Sequence, residues 1–179
     1  MVYVDKTRHI HQLITNSRYC FLSRPRRFGK SLTLSTIEHI FRGEKELFHG
    51  LWIENNWDWT QTHPVIHVSF SKLDYQNLTL EGAIIAFLDE RAAQSGLTLS
   101  ARSAKGKLSE LVVKLAAKES PVVLLIDEYD KPIIDYLDKD ELSIASANRT
   151  TLKTLYSGLK DGEIQAALRF FMITGVSKF

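Results

Sequence analysis

The segment from Ser23 to Ser31 constrains the fold more than any other feature of the chain. It reads Ser-Arg-Pro-Arg-Arg-Phe-Gly-Lys-Ser, follows the apolar run Tyr19–Leu22 and precedes a helical pattern that begins at Leu32. A strand, a loop ending in Gly-Lys-Ser and a helix form the setting in which free N–H groups at a helix N-terminus bind phosphate. We therefore expect a first strand, around Tyr19–Ser23, that leads into a phosphate-binding loop.

The residues at the end of this loop are suited to a nucleotide. Gly29 has no Cβ and lets the backbone approach a ligand closely. Lys30 can reach the β- and γ-phosphates, and the Ser31 hydroxyl can bind Mg²⁺. The candidate nucleotide-binding residues are Arg26, Arg27, Phe28, Gly29, Lys30, Ser31 and Leu32.

The beginning of the loop departs from the general pattern G-x-x-x-x-G-K-[ST]. Arg24 stands where the first glycine would be, and Pro25 has no N–H to donate. Arg26 and Arg27 add positive charge that can compensate, because a guanidinium binds phosphate through two hydrogen bonds. A solvated basic turn before an ordinary helix is the alternative interpretation.

A second group of polar residues follows the continuous apolar run Pro121–Ile126, which is typical of a central parallel strand buried on both faces. Asp127 would hold Mg²⁺ together with Ser31, and Glu128 would activate the attacking water. A glutamate directly after the metal-binding aspartate favours ATP hydrolysis over GTPase or nucleotide-kinase chemistry. The alternative is a capping or loop pair, since aspartate ends many strands.

Thr174 follows the last apolar run in the same way, within Phe170–Gly175. A polar side chain at this strand end could sense the γ-phosphate or the attacking water. A solvated strand end is an equal alternative.

Four hydrophobic strands alternating with helices predict an α/β fold with a mostly parallel sheet. Ligands of such sheets collect at the carboxyl ends of the strands, where Asp127 and Thr174 are expected. The predicted elements are a helix capped by Asp5 and ending at Asn16, strand Tyr19–Ser23, helix Leu32–Phe41, an irregular region Glu44–His63, strand Val65–Phe70, helix Leu78–Gln94, an exposed connection Ser100–Lys107, helix Leu108–Lys118, strand Pro121–Ile126, a polar stretch Asp138–Arg149, helix Thr151–Lys160 and strand Phe170–Gly175.

The composition indicates a globular protein with one domain over residues 1–179. Its formal net charge of +2 does not by itself argue for nucleic acid or membrane. The single cysteine, Cys20, excludes an intramolecular disulfide. No apolar run approaches the roughly 18 residues of a membrane span, and no signal-peptide pattern is present. We expect a cytoplasmic protein with no membrane partner.

Four separated motifs resemble those of the bacterial AAA-ATPase-like family. They are Tyr3–Thr7, Arg24–Ser31, Asp127–Pro132 and Thr174–Phe179, and they cover essentially the whole chain in the same order. In this family an arginine commonly occupies the position of the first glycine. The resemblance implies an ASCE-type P-loop ATPase core, a three-layer sandwich in which Lys30 and Ser31 bind phosphate and Mg²⁺, Asp127 supports the metal and Glu128 is the catalytic base.

The resemblance also implies a longer protein. The sheet order of this class is 5-1-4-3-2, so we expect the chain to end after the fourth strand, with the first strand at an open edge. It would then be a fragment of a longer protein or a truncated gene copy. Members often continue into a C-terminal region similar to PD-(D/E)XK nucleases, although no nuclease motif occurs here.

These observations predict an ATP-binding domain that uses Mg²⁺, with Glu128 and Thr174 as candidate catalytic residues and hydrolysis in the full-length form. The first alternative is a non-catalytic module that binds a nucleotide as a switch, or binds a protein or DNA partner. The second is direct nucleic-acid binding through Arg24, Arg26, Arg27 and the segment 100–107. A homo-oligomer, and a nucleic acid bound by the full-length protein, are further candidate partners.

Overall fold

The fold is built on a parallel sheet of four strands. The computed structural model describes residues 4–25 and 27–176. Within these residues the strands lie in the order β1-β4-β3-β2, and every neighbouring pair is parallel. This order is the 1-4-3-2 part of the expected arrangement and leaves β1 at one edge. The strands are β1 (Tyr19–Ser23), β2 (Val65–Ser69), β3 (Val122–Asp127) and β4 (Leu168–Gly175).

Helices connect the strands and cover the sheet, which confirms the predicted α/β fold of the P-loop NTPase kind. The described residues form seven α-helices and several short 3₁₀ turns. None of these helices has both the length and the hydropathy needed to cross a membrane. The helices are α1 (Thr7–Asn16), α2 (Lys30–Phe41), α3 (Leu80–Gln94), α4 (Ala104–Lys118), α5 (Lys131–Ile134), α6 (Leu142–Ser157) and α7 (Gly162–Ala167).

The side chains of β3 divide the core into two layers. Val122, Leu124 and Ile126 belong to the cluster that contains the buried residues of α3, α4 and α6. Val123 and Leu125 point to the other face and pack in the cluster of α1 and α2. Because both faces of a central parallel strand are covered by helices, its sequence is a continuous apolar run rather than an alternating one.

The prediction for the segment after β3 was wrong in its boundaries. Helix α6 begins at Leu142, whereas the sequence predicted a polar stretch up to Arg149 and a helix only from Thr151. Its first half buries Ala145 and Asn148, and the amide of Asn148 donates to the carbonyl of Pro132 at 2.7 Å. Polar residues dominate this half because most of it faces solvent.

The prediction of an exposed connection at 100–107 was wrong in its second half. Helix α4 begins at Ala104, and the Ser103 hydroxyl accepts from the N–H of Gly106 at 3.1 Å as its N-cap. Lys107 is buried and its ammonium lies 2.6 Å from a carboxylate oxygen of Asp89. Helix α7, which begins at Gly162, was also missed.

The start of α1 differs from the prediction by one residue. The N-cap position is Lys6, not Asp5. One Asp5 oxygen still accepts from the N–H of Thr7 at 2.8 Å, and the other accepts from the N–H of Trp52 at 2.8 Å. Asp5 therefore links α1 to the irregular region, whose tryptophans pack against the core.

Candidate functional site

The carboxyl ends of β1, β4 and β3 lie side by side. They form the carboxyl edge of the sheet, which differs from the lateral edge at β1. Ser23 pairs with Gly175, and Ile126 pairs with Ile173. Neighbouring strands are about 4.8 Å apart, so the ends of β1 and β3 are separated by about 10 Å. The chain leaves β1 into the Gly-Lys-Ser loop and leaves β3 into Glu128, which brings the two predicted motifs to the same edge.

The loop between β1 and α2 has an unusual backbone. Arg27 and Gly29 have positive φ values of 67° and 73°, and Phe28 between them does not. When positive and negative φ values alternate, successive backbone N–H groups point toward the same concave side of the loop, where they can bind an anion. No atom of the described residues lies within 4 Å of the position that a Cβ of Gly29 would take, so they leave the space beside it open.

The N-terminus of α2 offers free hydrogen-bond donors. The backbone N–H of Thr33 donates to the carbonyl of Gly29 at 2.9 Å and closes the first turn of α2. The N–H groups of Lys30, Ser31 and Leu32 precede this bond and have no acceptor within the helix. Their unsatisfied donors and the helix dipole make this end attractive to negative charge.

Lys30 is the buried residue of the loop, with 6% of its surface exposed. Its ammonium donates to the carbonyls of Arg24 at 2.8 Å and Pro25 at 3.0 Å. An ammonium has three donors, so these two contacts leave one for another acceptor. Lys30 therefore fixes the loop to its own helix and stays available to a ligand.

The remaining predicted loop residues are exposed. Arg27, Phe28, Ser31 and Leu32 all face solvent, with Phe28 67% and Leu32 56% exposed. Exposed apolar side chains of this size beside a loop are available for ligand contact. Arg26 lies outside the described residues.

Asp127 and Thr174 form a buried pair between β3 and β4. The Thr174 hydroxyl donates to a carboxylate oxygen of Asp127 at 2.5 Å. Asp127 is 4% exposed and Thr174 is fully buried, so the interpretation of Thr174 as a solvated strand end is wrong. The hydrogen bond occupies one oxygen of Asp127 and fixes the direction of the other.

Glu128 has a left-handed backbone, with φ of 54°. A residue with a Cβ is uncommon in this region and costs about 1–3 kcal/mol, so the surrounding contacts must hold it. The next residue, Tyr129, donates its N–H to the carbonyl of Thr174 at 3.0 Å. Glu128 lines a cavity of about 230 Å³ together with Asp130, Lys131, Ile134 and Val176.

Gly175 is a site residue that sequence reasoning missed. A Cβ at this position would lie 2.4 Å from Cε1 and 2.6 Å from Cδ1 of Tyr129. The ring of Tyr129 therefore packs directly against the backbone of β4. In the sequence, the Thr-Gly pair at the end of the last apolar run was the feature that could have indicated Gly175 as a site residue.

Asp130 is a buried acidic residue near this edge. It is 2% exposed and accepts from the N–H of Val176 at 2.8 Å. This bond holds the turn that follows β4 against the segment that follows β3. Arg169 lies at the opposite end of β4, with its guanidinium 5.5 Å from the ring centre of Phe41.

The oxygen donors at the edge are those that Mg²⁺ prefers. A carboxylate oxygen of Asp127 and the hydroxyl of Ser31 are hard ligands, and a nucleotide's phosphates and water supply the others in sites of this kind. In residues 4–25 and 27–176 no three His, Cys, Asp or Glu side chains come together as a metal cluster.

Comparison with known proteins agrees with this architecture. The chain is 44% identical over 181 residues to a protein of Azotobacter chroococcum mcd 1, described as an uncharacterized protein in the vnfD 5' region. The match covers 99% of this chain and 34% of that protein, so the chain spans about a third of its relative's length. No solved structure matches the chain. The family model for predicted AAA-ATPases, AAA-ATPase-like, matches residues 1–179, and the chain therefore belongs to that family.

Proposed function

We propose that this domain binds ATP with Mg²⁺ at the carboxyl edge of the sheet and hydrolyses it in the full-length protein. One observation carries the proposal. The Gly-Lys-Ser loop, with its free N–H donors, lies at the same sheet edge as the buried Asp127–Thr174 pair.

The loop and the start of α2 would hold the phosphates. The N–H groups of Lys30, Ser31 and Leu32 are unsatisfied within the helix, and Lys30 has a donor that the loop carbonyls do not use. Arg27 is exposed beside them and can add a charge-assisted contact. We also assign Arg26, Phe28 and Gly29 to nucleotide contact, as the sequence predicts.

Ser31 and Asp127 would hold Mg²⁺, which offsets the charge that develops on the transferred phosphate. Thr174 keeps one oxygen of Asp127 in a hydrogen bond, which fixes the direction of the other oxygen. Thr174 acts in this proposal by positioning Asp127, and it lies one strand away from the loop.

Glu128 would act as the general base. Its strained backbone sets its side chain at the cavity beside β4, one residue beyond Asp127. A carboxylate there can accept a proton from water during in-line attack on the γ-phosphate. Lys30 would stabilise the charge that forms on the phosphate oxygens.

Hydrolysis can be tested with Glu128→Gln. We expect phosphate release to fall at least a hundredfold, because general-base catalysis contributes about 10²–10⁴ in rate. Binding of a fluorescent ATP analogue should change less than threefold, since the amide keeps the size of the side chain. Glu46→Gln, at an exposed residue outside the site, is the matched control.

The outcomes separate the proposal from its main alternative. Unchanged turnover in Glu128→Gln would exclude Glu128 as the base. Tight binding without turnover by the wild type, in a longer protein as well as in this chain, would identify a nucleotide switch. No binding by a folded longer protein would contradict the nucleotide site altogether.

A further inference from the structure

A second cavity lies on the face of α6 that is turned toward the end of β3. Its volume is about 640 Å³, which is in the range of ligand-binding sites. Arg149, Lys153 and Tyr156 recur at helical spacing along this face, and Lys160 continues it beyond the helix. The other wall includes Tyr129, which follows the proposed general base directly.

The charge of this cavity is strongly one-sided. Arg149, Lys153 and Lys160 are all exposed, and among the residues that the structure describes none that lines the cavity carries a carboxylate. Over the part of the chain that the structure describes, none of the three forms an ion pair with an acidic side chain. Three uncompensated cations around one depression attract a ligand with several negative charges.

Aromatic rings accompany these cations. The rings of Tyr129 and Tyr156 lie 6.4 Å apart at 66°, and Tyr129 contacts Phe21 with ring centres 5.8 Å apart at 74°. Phe21 is 46% exposed on the edge strand β1, so the aromatic surface continues out of the cavity. Rings beside a cationic groove are the combination with which proteins bind unpaired bases and their phosphates.

We propose that this cavity binds single-stranded nucleic acid. Arg149, Lys153 and Lys160 contact phosphates, and bases stack on Tyr129 and Phe21. Charge complementarity favours a polyanion. The exposed ring of Phe21 and the partly exposed ring of Tyr129 favour one that carries flat bases over an acidic peptide. The site is distinct from the loop around Arg24 and from segment 100–107, which the sequence suggested for nucleic acid.

Tyr129 connects this cavity to the proposed nucleotide site through hydrogen bonds. Its N–H donates to the carbonyl of Thr174, whose hydroxyl holds Asp127. A base stacked on Tyr129 therefore contacts the segment that carries Asp127 and Glu128. Nucleic-acid binding itself does not depend on ATP binding, so the two proposals fail separately.

Binding of a fluorescein-labelled oligo(dT) to the 179-residue chain tests the proposal by fluorescence anisotropy without ATP. In Arg149→Gln/Lys153→Gln/Lys160→Gln we expect at least tenfold weaker binding. The slope of log K against log salt should fall by about 2, since each single-strand phosphate contact contributes about 0.7. The control, Arg8→Gln/Lys45→Gln/Lys72→Gln, removes the same charge from exposed residues outside the cavity and should weaken binding less than twofold.

Three results would overturn the proposal. The first is an equal loss of affinity in the cavity and control variants, which would indicate non-specific attraction. The second is equal competition by poly-glutamate or by a duplex of the same length, which would assign the cavity to an acidic protein segment or to double-stranded nucleic acid. The third is an absence of saturable binding by the wild-type protein, when its cooperative unfolding shows that it is folded.

Discussion

The hydroxyl of Thr174 donates to the carboxylate of Asp127 across neighbouring parallel strands, with 2.5 Å between the two oxygens. Both side chains are buried at the carboxyl edge of the sheet. A buried carboxyl group is costly unless it is hydrogen-bonded, and the hydroxyl of Thr174 satisfies one oxygen of Asp127. The pair fixes the geometry of the proposed metal ligand before any nucleotide binds.

Thr174→Val tests this pair. The variant keeps the shape of the side chain and removes the donor, which leaves the buried carboxylate without this partner. We expect the free energy of unfolding to fall by about 1–3 kcal/mol. Urea unfolding followed by circular dichroism measures this change.

Two further variants make the test specific. Thr174→Ser restores the hydroxyl and should recover most of the lost stability. Thr98→Val makes the same substitution at an exposed threonine and should change stability by less than about 0.5 kcal/mol. Wild-type stability in Thr174→Val would mean that the hydrogen bond contributes nothing.

Gly175→Ala tests the close packing of Tyr129 on β4. The new Cβ would lie 2.4 Å from Cε1 of Tyr129, so the ring or the strand must move. We expect destabilisation of at least about 1–3 kcal/mol, the usual cost of overpacking. A thermal unfolding series measures it.

Gly162→Ala is the matched control, because no atom of residues 4–25 and 27–176 lies within 4 Å of its added Cβ. It should be neutral or raise stability by about 0.4–1 kcal/mol. Combining Gly175→Ala with Tyr129→Ala should show a favourable interaction energy, since the smaller side chain removes the clash. Strict additivity of the two changes would contradict the packing that we describe.

Glu110 should titrate far below an ordinary glutamate. The hydrogen bond from Lys114, followed by those from the N–H groups of Ala101 and Ser100, lowers the pKa of Glu110 to about 2. A depressed folded-state pKa contributes stability above about pH 4.5, and this contribution is lost as the pH falls toward 2. An NMR titration of the Glu110 carboxyl carbon measures the pKa directly.

Lys114→Met should raise the pKa of Glu110 toward 4.5, because it removes the hydrogen bond from the Lys114 ammonium. Lys118→Met should leave the pKa nearly unchanged, since the Lys118 ammonium donates to the carbonyl of Ser95 instead. A Glu110 pKa near 4.5 in the wild type would show that these hydrogen bonds do not form in solution.

Much of the fold follows from local sequence patterns. The run before Asp127 and the run before Gly175 predict buried strands because their apolar residues are continuous. The Gly-Lys-Ser segment predicts the start of α2 because glycine permits the positive φ that the loop needs. Such features depend on residues close together in the chain.

The rest depends on contacts between distant residues. The Thr-Gly pair marks the end of β4, but it does not indicate that Tyr129 packs on Gly175. The residues beside Glu128 likewise do not indicate its positive φ. Helix α6 was predicted too late because its first turns are mostly solvent-exposed and are held by Asn148 and Ala145. The pairing of Thr174 with Asp127 required the strand order, which the resemblance supplied and the residues alone did not.

The central claim is that the Gly-Lys-Ser loop binds a nucleotide, and Lys30→Ala tests it most directly. Titration of a fluorescent ATP analogue with Mg²⁺ into the wild type, Lys30→Ala and the control Lys45→Ala measures the three dissociation constants. Loss of charge-assisted contacts of about 1.5–3 kcal/mol should weaken binding about ten- to a hundredfold in Lys30→Ala. Lys45→Ala should stay within twofold of the wild type. Equal affinity of Lys30→Ala and the wild type, with both proteins folded, would contradict the nucleotide site that we propose.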